Sequence, residues 1–321
     1  MKRLGLVAVL SVSYAYASAC CGVSTSGVPV KFGDQSNIII WNPETKTEHF
    51  VRNAMFDTEA KDFGFIAPTP DVPKLETSGD GAYYSLSNLR PTPVSFSCGC
   101  SAAMDSATAS AKSVDILQDT NVGKYRAITI RSDDANALAD YLKARGYAST
   151  PTFKTWIEHY AKKNWVLTAF TLRGEKEAKT QSGIIRMSFK TDKPFNPYYV
   201  PADNTGTLGT LRIYFVSDGK YRANMGNSSK WNPSEWDAPI PEEIANSVAN
   251  DLKISRSDIP KGATITYFEK QDWLQGATDD LFFSKNPNLG AMIPIGLIAA
   301  LGAGLWWFTK SRKAKMASIG A

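Results

Sequence analysis

Residues 125–172 read YRAITIRSDDANALADYLKARGYASTPTFKTWIEHYAKKNWVLTAFTL, and they carry the clearest secondary-structure pattern of the chain. Residues 125–130 alternate in the manner of a strand. The polar residues 132–134 then open a helix, because side chains of this kind cap its free N–H groups. Pro151 begins a second helix, since proline suits a first helical turn, and residues 165–172 return as a strand. The stretch therefore predicts a strand–helix–helix–strand unit.

Further strand patterns lie on both sides of this unit. They cover residues 37–41, 48–53, 63–67, 184–189, 208–216 and 263–268. The first two are joined by an Asn-Pro-Glu turn, which favours a hairpin. Prolines after residue 67 are expected to end strand pairing there, and Pro241 opens a helix that runs to about Leu252. Because strands dominate, the sequence predicts an α+β domain with mostly antiparallel pairing.

The N-terminus has the pattern of a secretory signal peptide over residues 1–19. A basic start is followed by an apolar run over 4–12 and by Ala-Ser-Ala at 17–19, a typical cleavage site. Cleavage there leaves Cys20 first, so lipid attachment to this cysteine is an alternative, although Ala17 stands where a lipobox usually has leucine. An uncleaved anchor is the third option.

The C-terminus carries a pattern typical of a transmembrane helix. Residues 289–308 are 20 residues without a charge, and about 20 apolar residues span the bilayer core. Trp306 and Trp307 lie near its end, where aromatic rings favour the membrane interface. The basic tail at 309–321 follows at once, and the positive-inside rule places such a tail in the cytoplasm.

Together, the two ends predict a single-pass protein of the cell envelope whose main domain lies outside the cytoplasm, in the periplasm or at the cell surface. The predicted layout is a signal peptide over 1–19, an exported α+β domain over 20–288, a transmembrane helix over 289–308 and a cytoplasmic tail over 309–321. Whether the exported domain is divided into two parts near residues 101–124 stays open, because small and polar residues begin this segment. No sorting motif precedes the helix, so a stable anchor is preferred over a processed one.

The formal net charge of +5 comes from the two ends of the chain. They hold six of the 36 basic residues and no acidic one, which leaves 30 basic against 31 acidic residues in between. Since no basic block remains to follow a phosphate backbone, we expect no nucleic-acid partner. We expect contact with the membrane. We also expect a protein partner or homo-oligomer through the apolar helix. This helix has small residues at the spacing of helix-pairing faces, namely Gly296, Ala300 and Gly304.

The cysteines are expected to form disulfides, because export implies an oxidising compartment. They come as two tight pairs, Cys20 with Cys21 and Cys98 with Cys100. Bridges within either pair are geometrically tight, so pairing between the clusters is favoured, in one of two connectivities. A four-thiolate metal site or a redox-active pair is the alternative.

Several of these elements together resemble a known family. They are the Cys-Cys pair after the signal peptide, KDFGFIAPTPDVP at 61–73, the helix pair at 133–160 and IRMSFKTDKPFNPY at 185–198. The chain resembles, over about residues 20–230, a bacterial family of exported, often membrane-anchored proteins called domain of unknown function 2330. The resemblance implies export and a similar layout. It implies no activity and no catalytic residue.

Motifs for common catalytic chemistry are missing from the sequence. There is no H-E-x-x-H, nucleophile elbow, Walker loop or dinucleotide fingerprint, so we assign no cofactor, metal or catalytic residue. His159 is predicted to lie beside the apolar stripe of its helix, and His49 to alternate with Glu48 in a strand. The acidic pairs 242–243 and 279–280 are predicted to be helix-end and solvated charges.

Two groups of residues remain as binding candidates. The strongest acidic candidate for a ligand or metal site is the cluster of Asp57, Glu59 and Asp62. Trp231 and Trp236 lie in a polar segment and could form an aromatic platform for a sugar or peptide, although packing over a loop is the simpler interpretation. We predict a non-enzymatic binding or envelope-associated domain. The alternative is an envelope enzyme or metal-binding protein that uses the acidic cluster or the cysteines.

Overall fold

A computed structural model describes most of the chain between residues 21 and 286. The described residues are 21–24, 31–57, 63–91, 114–132, 134–145, 151–172, 179–181, 183–201, 209–227, 229–272, 274 and 276–286. Those up to Lys285 belong to one compact unit. The predicted signal peptide, transmembrane helix and tail lie outside the described residues.

The secondary structure is rich in short strands. The strands are β1 (Cys21–Ser24), β2 (Lys31–Asn42), β3 (Thr47–Asp57), β4 (Phe63–Thr69), β5 (Lys74–Thr77), β6 (Asp115–Val122), β7 (Tyr125–Arg131), β8 (Val166–Leu172), β9 (Lys179–Gln181), β10 (Ile185–Lys190), β11 (Phe195–Asn196), β12 (Thr210–Ser217), β13 (Tyr221–Met225), β14 (Ser229–Lys230), β15 (Trp236–Pro239), β16 (Thr264–Gln271) and β17 (Leu281–Lys285). The helices are α1 (Gly81–Ser87), α2 (Ala135–Lys143), α3 (Pro151–Ala161) and α4 (Glu242–Leu252), with a 3-10 turn at Arg256–Asp258.

The predicted strand–helix–helix–strand unit is confirmed as β7, α2, α3 and β8. It forms the centre of a five-stranded antiparallel sheet with the order β1-β4-β8-β7-β6. Asp134 caps α2 by accepting a hydrogen bond from the backbone N–H of Asn136 at 2.8 Å. Both helices pack on one face of the sheet, where Trp156 and Tyr160 of α3 are fully buried.

An eight-stranded sheet holds the middle of the fold. Its order is β15-β16-β12-β2-β3-β10-β5, and β9 adds to β3. The predicted β2–β3 hairpin is confirmed, and the pairings are antiparallel except that β12 runs parallel to β2. Ile39 of β2 faces one hydrophobic core, and Ile38 and Ile40 face another. Burial on both faces explains the continuous apolar run in this strand.

A third sheet and the remaining helices complete the architecture. Four antiparallel strands follow the order β11-β17-β13-β14. Side chains of all three sheets meet in the largest hydrophobic core, and α1 and α4 cover the opposite face of the eight-stranded sheet. Fully burying one Phe, Leu or Ile side chain contributes about 1.5–3 kcal/mol, so these cores are the main stabilising feature.

The structure corrects two details of the predicted strands. Pairing of β4 does not end at the prolines, because Pro68 lies opposite Leu167 and Thr69 opposite Val166. On the other side of β4, the described pairs with β1 run from Ser24–Phe63 to Cys21–Ile66. In addition, the strand at 264–271 is not the last, since β17 follows it. Among the described residues, no helix is long and apolar enough to cross a membrane.

Candidate functional site

The acidic and cysteine candidates fall largely outside the described residues. Asp57 is the last residue of β3, where only its place in the strand is described, and Glu59 and Asp62 lie beyond it. Cys21 begins β1, whereas Cys20, Cys98 and Cys100 lie outside the described residues. Both proposals for these residues therefore stay predictions.

The two candidate tryptophans pack against different hydrophobic cores. Trp231 meets the ring of Tyr198 with the centroids 5.5 Å apart, at the edge of the core shared by the three sheets. Trp236 stacks on Tyr267 at 5.1 Å, in the core beneath α1 and α4. Both tryptophans are partly exposed. Their described contacts are packing contacts with neighbouring rings.

A first polar cluster lies where the end of α3 meets the loop before β17. It contains His159, Lys163, Asp279 and Asp280. Asp280 is fully buried, and its Oδ1 accepts hydrogen bonds from the Tyr160 hydroxyl at 2.8 Å and from the Tyr198 backbone N–H at 3.1 Å. The prediction that both aspartates are solvated is therefore wrong for Asp280. Its carboxylate connects the loop before β17 to α3 and to the segment after β11.

Electrostatics in this first cluster favour the ionised form of Asp280. Burial by itself would raise the pKa of its carboxyl group. The nearby His159, the positive charge of Lys163 and the Tyr160 hydroxyl outweigh burial, so the pKa lies below its usual value. Asp280 is a buried carboxylate that keeps its charge because several donors compensate it.

The same cluster has the residue types of a metal site, but a lysine stands in its centre. Single ligand atoms of His159, Asp279 and Asp280 lie within 4.8 Å of one another. The Lys163 ammonium lies 2.7 Å from His159 Nε2, 3.3 Å from Asp280 Oδ2 and 3.9 Å from Asp279 Oδ1. A metal bound by these three groups would need the position of that ammonium, so Lys163 is the cation of the cluster.

A second polar cluster lies on the helix-covered face of the eight-stranded sheet. Ser188 of β10 is directly opposite His49 of β3, and its Oγ is 2.8 Å from His49 Nδ1. On the other side of the ring, Nε2 is 3.4 Å from Oδ2 of Asp258 in the 3-10 turn. Arg186, two residues before Ser188, donates to Ser188 Oγ and pairs with Glu76 of β5. Serine, imidazole and carboxylate thus lie in this order, with hydrogen-bonding distance between the first two and an ion-pair distance between the last two.

Burial keeps the imidazole of His49 neutral. The residue is 5% exposed, and burial lowers its pKa to about 4; Asp258 opposes this shift, and the charges of Arg186 and Lys190 add to it. A neutral ring has one acceptor and one donor nitrogen. Nε2–H facing the Asp258 carboxylate leaves Nδ1 as the acceptor for the Ser188 hydroxyl.

The amino-acid sequence matches a known bacterial family over more than half of the chain. A sequence model of the family described as "Uncharacterized protein conserved in bacteria (DUF2330)" matches residues 14–238. The chain belongs to the DUF2330 family. The predicted resemblance is therefore confirmed. No curated protein matches the chain.

The DUF2330 match includes part of each polar cluster. His49, Ser188, His159 and Lys163 fall within it, whereas the carboxylates at 258, 279 and 280 come from the segment that follows. Sequence reasoning considered both histidines and the 279–280 pair, but it did not connect them with their partners. Ser188 lies 139 residues from His49 in sequence, and no local pattern marks it as a partner.

Proposed function

We propose that this DUF2330 protein is exported and held in the cell membrane by residues 289–308. The main domain would then lie outside the cytoplasm and the C-terminal tail inside. The basic, apolar and small-residue pattern at 1–19 supports export, and the uncharged 20-residue stretch with its basic flank supports the anchor and its orientation. Membership in an uncharacterised bacterial family is consistent with a role in the bacterial envelope.

Within this setting, we assign the domain a binding role, and one concave surface carries that assignment. A groove of about 600 Å³ lies between the β2–β3 turn, the start of α4 and the 3-10 turn. Its volume falls in the usual range for ligand sites, about 300–1,000 Å³. Its lining combines apolar surface from Pro43, Ile259 and Pro260 with polar and charged residues, which include Asn42, Glu44, Glu242, Arg256, Ser257 and Lys261.

The charges of this groove indicate what kind of ligand fits it. Arg256 makes a bidentate ion pair with Glu242, at 2.9 and 2.7 Å. Glu44 and Asp218 add negative charge to the lining, and Lys261 adds positive charge. Because the fixed charges are mixed, the surface suits a polar partner with both charges, such as a peptide segment of an envelope protein, better than an apolar ligand.

The topology is tested with two fusions to the full-length gene. Alkaline phosphatase, which needs an oxidising compartment, is inserted after residue 286, and a fluorescent protein that folds in the cytoplasm is placed after residue 321. We expect both reporters to be active, and deletion of residues 2–19 to abolish the phosphatase signal. An inactive phosphatase in the intact fusion would refute export of the domain.

The binding role is tested by photo-crosslinking in the native membrane. A photoreactive amino acid replaces Lys261 in the groove, and the control replaces Tyr84, which is 72% exposed on α1 away from the groove lining. We expect a discrete crosslinked protein from position 261 alone. The same products from both positions, or none from either, would count against the groove. Stoichiometric metal in the purified protein would instead favour the alternative of a metal protein or enzyme.

A further inference from the structure

We propose that Ser188 is a catalytic nucleophile toward carboxylic esters, with His49 as its general base and Asp258 as the group that orients the base. This activity goes beyond the binding role, which requires no covalent chemistry. The three residues come from β10, β3 and the 3-10 turn, and they form the order hydroxyl, imidazole, carboxylate at 2.8 and 3.4 Å. Nucleophile, base and orienting acid are the three roles of a serine hydrolase triad, which is recognised by geometry rather than by sequence position.

The fold holds the base of this site in one orientation. His49 is 5% exposed and lies in a central strand, between a serine directly opposite on β10 and the carboxylate of the 3-10 turn. Asp258 is itself held by a hydrogen bond from the backbone N–H of Ser255 to its Oδ2, at 3.0 Å. A base whose ring cannot turn away keeps its acceptor nitrogen on the serine hydroxyl.

The two ring nitrogens of His49 have the opposite roles to those in the commonest triads. Here Nδ1 faces the serine, and Nε2 faces the carboxylate. The chemistry requires one acceptor nitrogen toward the nucleophile and one N–H toward the acid, and either assignment of the two nitrogens meets that requirement.

Arg186 supplies positive charge at the reacting oxygen. Its guanidinium donates to Ser188 Oγ, and it is held in place by the Glu76 carboxylate and by the backbone carbonyl of Lys253 at 3.2 Å. A donor of this kind favours the negative charge that develops on Oγ as its proton leaves. Arg186 is 2% exposed, so solvent screens this charge weakly.

The serine can be approached from the edge of the sheet. Ser188 is partly exposed, and its other cross-strand neighbour is Lys74 of β5, the last strand on that side among the described residues. The Lys74 side chain is 72% exposed, so this edge of the sheet faces solvent beside Ser188.

The reaction balances without any added oxidant or cofactor. Ser188 Oγ bonds to the acyl carbon while its proton passes to His49 Nδ1, and the bond from the acyl carbon to the leaving oxygen breaks as that oxygen takes the proton. Water then bonds to the acyl carbon and gives a proton to Nδ1. The acyl–Oγ bond breaks, Oγ recovers the proton, and a carboxylic acid leaves.

The test uses the full-length protein in detergent, a fluorophosphonate probe and p-nitrophenyl acetate. Attack on the probe forms an Oγ–P bond and releases fluoride, which adds a defined mass that peptide mapping can locate. We expect the adduct on Ser188 and none in Ser188→Ala. We expect His49→Gln to slow labelling by roughly 10²-fold or more, the usual contribution of a general base.

The matched control is Ser284→Ala. Ser284 is also partly exposed and its Oγ also accepts a hydrogen bond from an arginine, Arg222, at 3.1 Å, but no histidine is within hydrogen-bonding distance among its described partners. Labelling in this variant should equal the wild type. Asp258→Asn provides a second base-side variant if His49→Gln fails to fold. No adduct, an adduct at another residue, or equal labelling rates in folded His49→Gln would overturn the proposal.

Discussion

Glu48 and His49 are neighbours in β3 whose side chains enter opposite faces of the eight-stranded sheet, and burial favours the neutral form of both. Glu48 is fully buried in the core shared by the three sheets and accepts one hydrogen bond, from the backbone N–H of Phe195 at 3.0 Å. Burial raises the pKa of Glu48 well above its ordinary 4.5 and lowers that of His49 to about 4. The two groups therefore respond to pH in opposite senses.

Glu48→Gln is expected to stabilise the protein at alkaline pH. The glutamine oxygen keeps the hydrogen bond from Phe195, and the variant has no group that must stay protonated in the core. Because the folded-state pKa of Glu48 is raised, its stabilising contribution is present at low pH and is lost as pH rises from about 4.5 through the folded-state pKa. We expect the variant to unfold with a free energy about 1–2 kcal/mol larger at pH 8 and nearly equal at pH 4.

The measurement for this prediction is urea unfolding at both pH values. Glu44→Gln, in the exposed β2–β3 turn, is the control, since its side chain faces solvent and should change the free energy of unfolding by less than about 0.5 kcal/mol. An equal stability difference between wild type and Glu48→Gln at pH 4 and pH 8 would show that Glu48 does not bind a proton on folding.

Asp280→Asn should destabilise the fold strongly. The amide oxygen can still accept from the Tyr160 hydroxyl, but the NH₂ group then faces the Lys163 ammonium, which lies 3.3 Å from Asp280 Oδ2. We expect a loss of about 2–4 kcal/mol in the free energy of unfolding. The adjacent Asp279→Asn is the matched control, because the hydrogen bond described for Asp279 Oδ1 comes from a backbone N–H that asparagine can keep, and its ion-pair contacts with His159 and Lys163 are longer, at 3.6 and 3.9 Å. Similar losses in both variants would contradict the central role of Asp280.

Lys163→Met is expected to turn the first polar cluster into a metal-responsive one. Removing the ammonium leaves Asp280 buried without its cation, so the variant should be less stable than wild type by roughly 2–3 kcal/mol. With the central position free, His159, Asp279 and Asp280 can bind Zn²⁺. Thermal unfolding is measured with and without 1 mM Zn²⁺. A rise in Tm of the variant alone is expected, whereas an equal rise in wild type would show that Lys163 does not exclude the metal.

Local parts of the fold could be predicted from sequence, and the reason is visible in particular elements. The strand–helix–helix–strand unit and the β2–β3 hairpin join neighbouring segments, so turn residues and periodicity suffice to identify them. The parallel pairing of β12 with β2 joins residues such as Ile213 and Asn37, and no short-range pattern encodes that contact. Short strands such as β17 carry too few residues for a period to be recognised.

The candidate sites were less predictable, because their partners are distant in sequence. Tyr160 and Asp280 are 120 residues apart, and the pair at 279–280 follows the pattern of solvated acids when it is considered alone. Burial at the junction of α3 and β17 is what converts Asp280 into a charged core residue. Similarly, Ser188 is an ordinary polar strand residue in the sequence. Only the pairing of β10 with β3 places it opposite His49.

The disulfide prediction is tested by alkylation of the cysteines and intact-mass measurement. If Cys20, Cys21, Cys98 and Cys100 form two bridges, the protein purified from membranes without reductant should take up no alkylating reagent when denatured. After reduction it should take up four. Lipid attachment at Cys20 would instead leave three thiols and a mass increase at the N-terminus, and four free thiols before reduction would refute the disulfides.

Gly64→Ala should be among the most destabilising single substitutions in the chain. A Cβ at this position of β4 would overlap the carbonyl oxygen of Phe170 in β8 and lie 3.1 Å from its carbon. The strands cannot separate easily, because Phe65 stacks on Phe170 at 4.6 Å. We expect a loss of roughly 3 kcal/mol or more, or failure to fold.

The control for this prediction is Gly33→Ala in β2. Its Cβ would meet the Cβ of Met55 at 3.6 Å, an ordinary van der Waals contact, so the free energy of unfolding should change by about 0.5–1 kcal/mol at most. Urea unfolding of both variants measures the difference. A tolerated Gly64→Ala would mean that β4 and β8 approach each other less closely than described. A large loss shows why the Phe-Gly-Phe element has glycine between its aromatic residues: the neighbouring backbone leaves no room for a side chain.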